Sequence, residues 1–367
     1  MKRLFIFTLA AVLLCLCGYA QRVPVITIPQ LAKAVKTEAA KPADVKDVVT
    51  FAFAGDVMMG TTYPKAQLPA NDGADIFCDV ANLFRNADVA AANLEGVLLD
   101  ETGNPKKCSG QYCYSFKMPT RYVKHLTNAG FDFMGIANNH SGDFGAPGRK
   151  STQDVLKKAG IAYAGLKDVC EYAIIERAGR KIGFTAFAHN AGTLNNSNYA
   201  DLRRIVSLLD KECDIVVVCL HGGAEGPKYN HVPRAMESFL GNNRGDVYKF
   251  AHTAIDAGAD IVFGHGPHVT RGLELYKDRI IAYSLGNFAT PYGMNLNGIN
   301  SHAPVLTVST DSQGRFLNGK IHSFIQKRGY GPRTDTTNVV ARNMRTLTKQ
   351  DFPETTLKIS DTGELSK

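Results

Sequence analysis

Along most of the chain, short apolar runs that end in glycine-rich polar loops alternate with segments of helical periodicity. Strands are predicted at 48–54, within 88–99, and at 131–137, 172–176, 181–188, 214–220, 260–263, 279–285 and 304–310. A final hairpin arm is predicted over 315–327. Helices are predicted at about 75–87, 119–129, 148–159, 201–211 and 246–257. In the first of these, Ile76, Phe77, Val80, Leu83 and Phe84 share one face; Gly130 and Gly160 close the second and third. From residue 331 to 367 the pattern fades into a polar tail, compatible with disorder or with a loop packed back on the domain. Strands alternating with helices imply an α/β fold with a largely parallel sheet.

That reading has a chemical consequence. Five predicted strands end in polar loops that carry Asp56, Glu95, Asn139, His221 and His265, with His268 three residues after His265. In a parallel sheet the carboxyl ends of the strands lie on one side, so residues distant in sequence converge on one pocket. Asp, Glu, Asn and His form a mixed oxygen and nitrogen donor set, which suits Mn, Zn, Fe, Ni or Co better than calcium. Taken singly, each residue also has an ordinary explanation. Asp56 after Gly55 can cap a turn, Asn139 can satisfy loop backbone and His140 can be a surface imidazole. Glu95 resists this, because a carboxylate at the end of an apolar run is costly unless paired.

Composition narrows the setting. A 44% hydrophobic content in 367 residues allows a sizeable core. The formal charge of +8 contains no long basic block, which argues against nucleic acid and leaves an anionic substrate or surface. Lys2 and Arg3, the apolar run 4–17 and Gly18-Tyr19-Ala20 predict a signal peptide over 1–20 cleaved before Gln21. Anchoring through Cys17 is the alternative, disfavoured by the bulky Leu16 before it. The expected location is therefore periplasmic or extracellular. Residues 21–47, rich in Ala, Lys, Pro and Thr, read as a flexible linker, and nothing after residue 20 is apolar enough to span a membrane. In an oxidising compartment Cys108 and Cys113 are the candidates for a disulfide, whereas Cys213 and Cys219 read as small core residues.

Six blocks occur in order: Gly55-Asp56-Val57-Met58-Met59-Gly60, Asn93-Leu94-Glu95, Asn138-Asn139-His140-Ser141-Gly142-Asp143, His221-Gly222-Gly223-Ala224-Glu225, Gly264-His265-Gly266-Pro267-His268 and Tyr283-Ser284-Leu285-Gly286-Asn287-Phe288. In these the chain resembles the CapA family of capsule poly-γ-glutamate biosynthesis proteins, relatives of the calcineurin-like metallophosphoesterases, over about residues 48–330. The resemblance implies a four-layer αββα sandwich of the metallophosphoesterase type with two divalent metal ions. Carried over by motif, Asp56 and His268 serve one metal, Asn139, His221 and His265 the other, and Glu95 bridges them. His140 stands beside them as a general acid or as a group stabilising the leaving oxygen. Two departures accompany the match. Met58 occupies a position where the wider superfamily has a histidine ligand, which weakens the Asp56 metal. Gly222 and Gly226 stand where family members often have aromatic residues, which bears on substrate preference. Two functions are compatible: a metal-dependent hydrolase of a phosphoester or amide in capsule or envelope polymer metabolism, or a non-catalytic accessory protein that binds anionic polymer during synthesis or export. Components of a capsule synthesis or export complex are the partners the resemblance implies.

Overall fold

The computed structural model describes residues 26–27, 45–101, 103–107 and 113–367. The expected signal peptide and Cys108 lie outside the described residues, as does most of the expected linker. Within that linker Ile26–Thr27 pairs in parallel with Ala173 and Ile174, and the Lys46 amide donates to the Ala178 carbonyl. The tether is therefore not free along its whole length.

Two sheets form the centre. One runs Lys358–Ile359, Glu364–Ser366, Phe316–His322, Val305–Asp311, Val48–Val57, Val89–Leu94, Phe133–Gly135 and Ala162–Ala164, with Asn287–Ala289 also paired to Val48–Val57. The other runs Ile26–Thr27, Tyr172–Arg177, Arg180–Ala188, Ile215–His221, Ile261–His265, Arg279–Ala282 and Leu273–Tyr276. Their facing sides share one core, in which Phe53 stacks on Phe263 at 4.7 Å and Phe133 on Phe184 at 4.3 Å. The helices Ala81–Asn86, Val123–Ala129 and Gly145–Ala159 cover the outer face of the first sheet. Tyr199–Glu212 and Val247–Asp256 cover the outer face of the second. The result is the expected four-layer αββα sandwich.

Local chemistry accounts for these elements. Ile215–His221 is buried on both faces, as a β-branched run between two layers must be. Leu202, Ile205, Val206 and Leu209 recur at helical spacing and are all buried, and Asn198 caps their helix by accepting from the Asp201 amide.

Four expectations change. The sheets are mixed and not largely parallel: in the first, Val48–Val57 to Ala162–Ala164 run parallel out to one edge while Val305–Asp311 and the strands beyond it are antiparallel, and in the second hairpins such as that at Ala178-Gly179 turn Tyr172–Arg177 and Leu273–Tyr276 back against a parallel centre. The helix predicted over 75–87 is α-helical only over Ala81–Asn86; Ile76, Phe77 and Val80 reach the core from turns instead. The polar segment after residue 331 is not a loose tail. Its helix Val339–Asp351 inserts Val340, Ala341 and Met344 into the core between the sheets, and Glu364–Ser366 extends the first sheet. The segment predicted as one arm over 315–327 divides at Ser323 into Phe316–His322 and Phe324–Lys327, which belong to different sheets. Cys113 is disulfide-bonded, Cys219 is buried and Cys213 is half-buried.

Candidate metal centre

The carboxyl ends of the central strands of both sheets meet at one place. Asp56 lies at the end of Val48–Val57, in register with Asn93 and Asn287 of the flanking strands. His221 and His265 end adjacent parallel strands and stand directly opposite each other. The segment leading into Asn287–Ala289, which pairs with Val48–Val57 in the first sheet, runs so close that a Cβ on Gly55 would stand 1.9 Å from the Gly286 carbonyl oxygen; only glycine fits before Asp56. The Asp56 amide donates to that same carbonyl at 2.9 Å.

Donor atoms of Asp56, His221 and His265 lie within 4.8 Å of one another, and so do those of Asp56, Glu95 and His268. The carboxylate common to both groups is Asp56. Asp56 lies 3.4 Å from the Gly266 amide, which follows a strand of the opposite sheet, and Glu95 belongs to one of the two groups. All five side chains are buried or nearly so. Neither oxygen of Glu95, neither ring nitrogen of His221 and not the Nδ1 of His265 has a hydrogen-bond partner, and Asn139 Oδ1 is also buried and unpartnered. Each such buried group costs about 1–3 kcal/mol if left unsatisfied. Oxygen and nitrogen donors orphaned together in this way are what a divalent cation would satisfy, and the donor chemistry fits Mn, Zn, Fe or Ni.

Electrostatics sort these groups. Burial pushes Glu95 well above the carboxylate range, and the charge of Asp56 adds to the push. Burial also opposes ionisation of Asp56, but His265, His268 and the Asn93 amide outweigh it and hold the carboxyl below its ordinary range. Burial takes His221 far below its usual value and His265 to about 4, leaving neutral rings with lone pairs available to a cation. His268 goes the other way, to about 10, because Glu95, Asp56 and Glu225 overcome the effect of burial. Its backbone has φ 58°, a strained value for a non-glycine residue. The Asn287 and Asn300 amides, both donating to the His268 carbonyl, hold it there.

His140 lies within the same loop system, with Nδ1 2.7 Å from Asp143 Oδ2 and the Phe116 ring 4.4 Å away. Burial lowers its pKa, and the Asp143 carboxylate opposes that shift. A chain of amides connects it to the donors: Asn138 accepts from the His140 amide and donates to Asn93, which donates to Asp56 at 2.8 Å.

Residues 50–292 match the family described as bacterial capsule synthesis protein PGA_cap. The chain belongs to this capsule synthesis family. It is 33% identical over 280 residues to capsule biosynthesis protein CapA of Bacillus anthracis, which covers 70% of this chain and 64% of that protein. It is 31% identical over 269 residues to PGA biosynthesis protein CapA of Bacillus subtilis, covering 67% of this chain and 64% of that one. The chain thus spans somewhat under two thirds of the length of either relative. Among solved structures, a hypothetical protein from Thermus thermophilus has a TM-score of 0.48 at 14% identity, covering 76% of this chain and 100% of that one. The calcineurin-like phosphoesterase YfkN of Bacillus subtilis has a TM-score of 0.41 at 13% identity, covering 83% and 98%.

In this capsule synthesis family member several site residues go beyond those singled out from sequence. Asp143 receives His140, the Phe116 amide and Lys106. Asn287 Oδ1 lies 2.9 Å from His268 Nδ1 and so leaves Nε2 facing Glu95. His189 Nδ1 is buried without a partner beside His221, and burial drives its pKa to about 3. The available signal was proximity: Asn287 and Asp143 fall inside blocks quoted above, and His189 follows a predicted strand as His221 does.

Proposed function

We propose that this family member is an exported, dinuclear-metal-dependent hydrolase that acts on an anionic polymer of the capsule or cell envelope, of which poly-γ-glutamate is the first candidate. The observation that carries the reading is the set of buried, unpartnered donors around Asp56, Glu95, His221 and His265, which is hard to explain as packing. When bound, divalent cations would supply Lewis acidity toward the scissile phosphoryl or carbonyl group. Asp56 would stand between the two cations, with Glu95 and His268 beside one and His221, His265 and Asn139 beside the other. His140 donates Nδ1–H to Asp143, which fixes the ring and leaves Nε2 as the atom that holds or delivers a proton at the leaving group. Arg149 flanks the His140 loop, and its charge suits an anionic chain. The relatives' names, capsule biosynthesis and PGA biosynthesis, support the polymer.

The test uses the full chain expressed in a secreting host. Amino-terminal sequencing should begin at Gln21. Protein loaded with Mn, Zn, Fe or Ni is then assayed on a generic phosphodiester and on poly-γ-glutamate. Metal-dependent cleavage of either supports a hydrolase. Metal uptake with polymer retention and no cleavage of either replaces it with the accessory function.

A further inference from the structure

Asp56, Glu95 and His268 supply three donor side chains, and first-row cations in protein sites commonly take at least four. Met58 does not make up the difference. It is fully buried, and its methyl group packs against Gly293, near Phe116. A carboxylate of the other sheet faces the same histidine. Glu225, on the turn that follows Ile215–His221, has Oε1 2.6 Å from the Arg244 guanidinium and Oε2 4.0 Å from His268 Nε2. The guanidinium engages one carboxylate oxygen and leaves the other facing the pocket. Arg244 is itself almost fully buried and donates from Nε to the Gly223 carbonyl at 3.1 Å, so its position is fixed.

The turn that carries Glu225 is held on both sides. The Ala224 amide donates to Glu237, which pairs with the fully buried Arg271 at 2.7 Å. The Gly226 amide donates to the Pro267 carbonyl at 2.8 Å and ties the turn to the loop that carries His268. A surface ion pair would need none of this bracing. Glu95, fully buried with both oxygens unpartnered, is aimed into the same space. Glu95 and Glu225 thus face the same His268 Nε2, at 3.8 and 4.0 Å.

We propose that Glu225 is a further carboxylate donor to the cation of the Asp56, Glu95 and His268 group, with Arg244 as the positioning residue that turns its free oxygen inward. The inference rests on the dinuclear reading above, and the experiment separates the two. Mn(II) is titrated calorimetrically into metal-stripped full chain, with bound metal counted by elemental analysis, for the wild type, Glu225→Gln and Glu225→Asp. The wild type should take up two equivalents. Glu225→Gln should keep one site at wild-type affinity and weaken the other by about 10²-fold or more, in line with or beyond the loss seen when groups supporting a metal site are removed. Should Glu225→Gln fail to fold, Glu225→Asp, which retains the charge on a shorter stem, should still weaken one site only. Two unchanged sites in a folded Glu225→Gln or Glu225→Asp variant would overturn the inference while leaving two metals in place. A wild type that takes up no Mn(II) would overturn both.

Discussion

Replacing Glu95 by methionine should stabilise the metal-free protein while destroying one of its metal sites. Glu95 meets neither water nor a hydrogen-bond partner: its carboxyl is completely buried, and both oxygens are left unpaired. An unsatisfied buried polar group costs about 1–3 kcal/mol, and methionine nearly matches glutamate in length without that cost. One interaction works the other way, the attraction between Glu95 and His268, whose Nε2 lies 3.8 Å from Oε1. The expected net gain is therefore at the low end, about 1 kcal/mol, or a rise of about 1–2 °C in the Tm of chelator-treated protein. Wild type should regain the deficit on adding metal, because a cation present at about a hundredfold its Kd contributes about 2.7 kcal/mol. Glu95→Met should show roughly half or less of the wild-type response. The assay is a pair of thermal melts, with chelator and with Mn(II), for both proteins. A Glu95→Met protein that melts several degrees below the wild type in chelator would refute the reasoning, since Glu95 would then be part of the packing and not a group kept for a cation.

Other outcomes follow from the same geometry. His140→Ala should leave bound metal unchanged and lower turnover by about 10²–10⁴-fold, measured by elemental analysis beside steady-state rates. Metal affinity should fall as pH falls, because Glu95 and His268 both have raised pKa values in the metal-free protein and protons compete with the cation; calorimetric titrations in mildly acidic and mildly alkaline buffers check the direction. Asp335 accepts from the Val339 amide, Ser323 and Thr337 at the start of the Val339–Asp351 helix, and these bonds outweigh burial to hold its pKa at about 2. Because that value is depressed from the ordinary 3.8, its contribution is present above 3.8 and is lost as pH falls through about 2. Asp335→Ala should cost about 0.5–2 kcal/mol at neutral pH, read by chemical denaturation.

The strand ends were the most legible part of the site. Asp56, His221 and His265 each close an apolar run, and the rule that parallel strands present their carboxyl ends on one side brings them together without any coordinates. The rule does not say which carboxylate lies at the seam. That depends on how closely the Gly266 loop, which follows a strand of the second sheet, approaches Asp56, a packing distance no periodicity encodes. Glu225 and Asn287 stand inside the quoted blocks, but each faces His268 from another loop, and sequence spacing carries no record of that reach. The helix Val339–Asp351 escaped because its buried stripe of Val340, Ala341, Met344 and Leu347 is narrow and interrupted by Arg342 and Arg345, so that the segment reads as polar. The sandwich itself was accessible only through the resemblance in the six blocks; alternation alone implied one largely parallel sheet.

The most direct measurement is the metal stoichiometry of the folded, full chain after chelation, incubation with Mn, Zn, Fe or Ni, and removal of free ions. Two equivalents per chain are expected in the wild type and close to none in Asp56→Ala, since Asp56 is the carboxylate common to both donor groups. A wild-type protein that stays metal-free with every one of these ions, or an Asp56→Ala variant that retains both equivalents, would contradict a dinuclear centre at this seam.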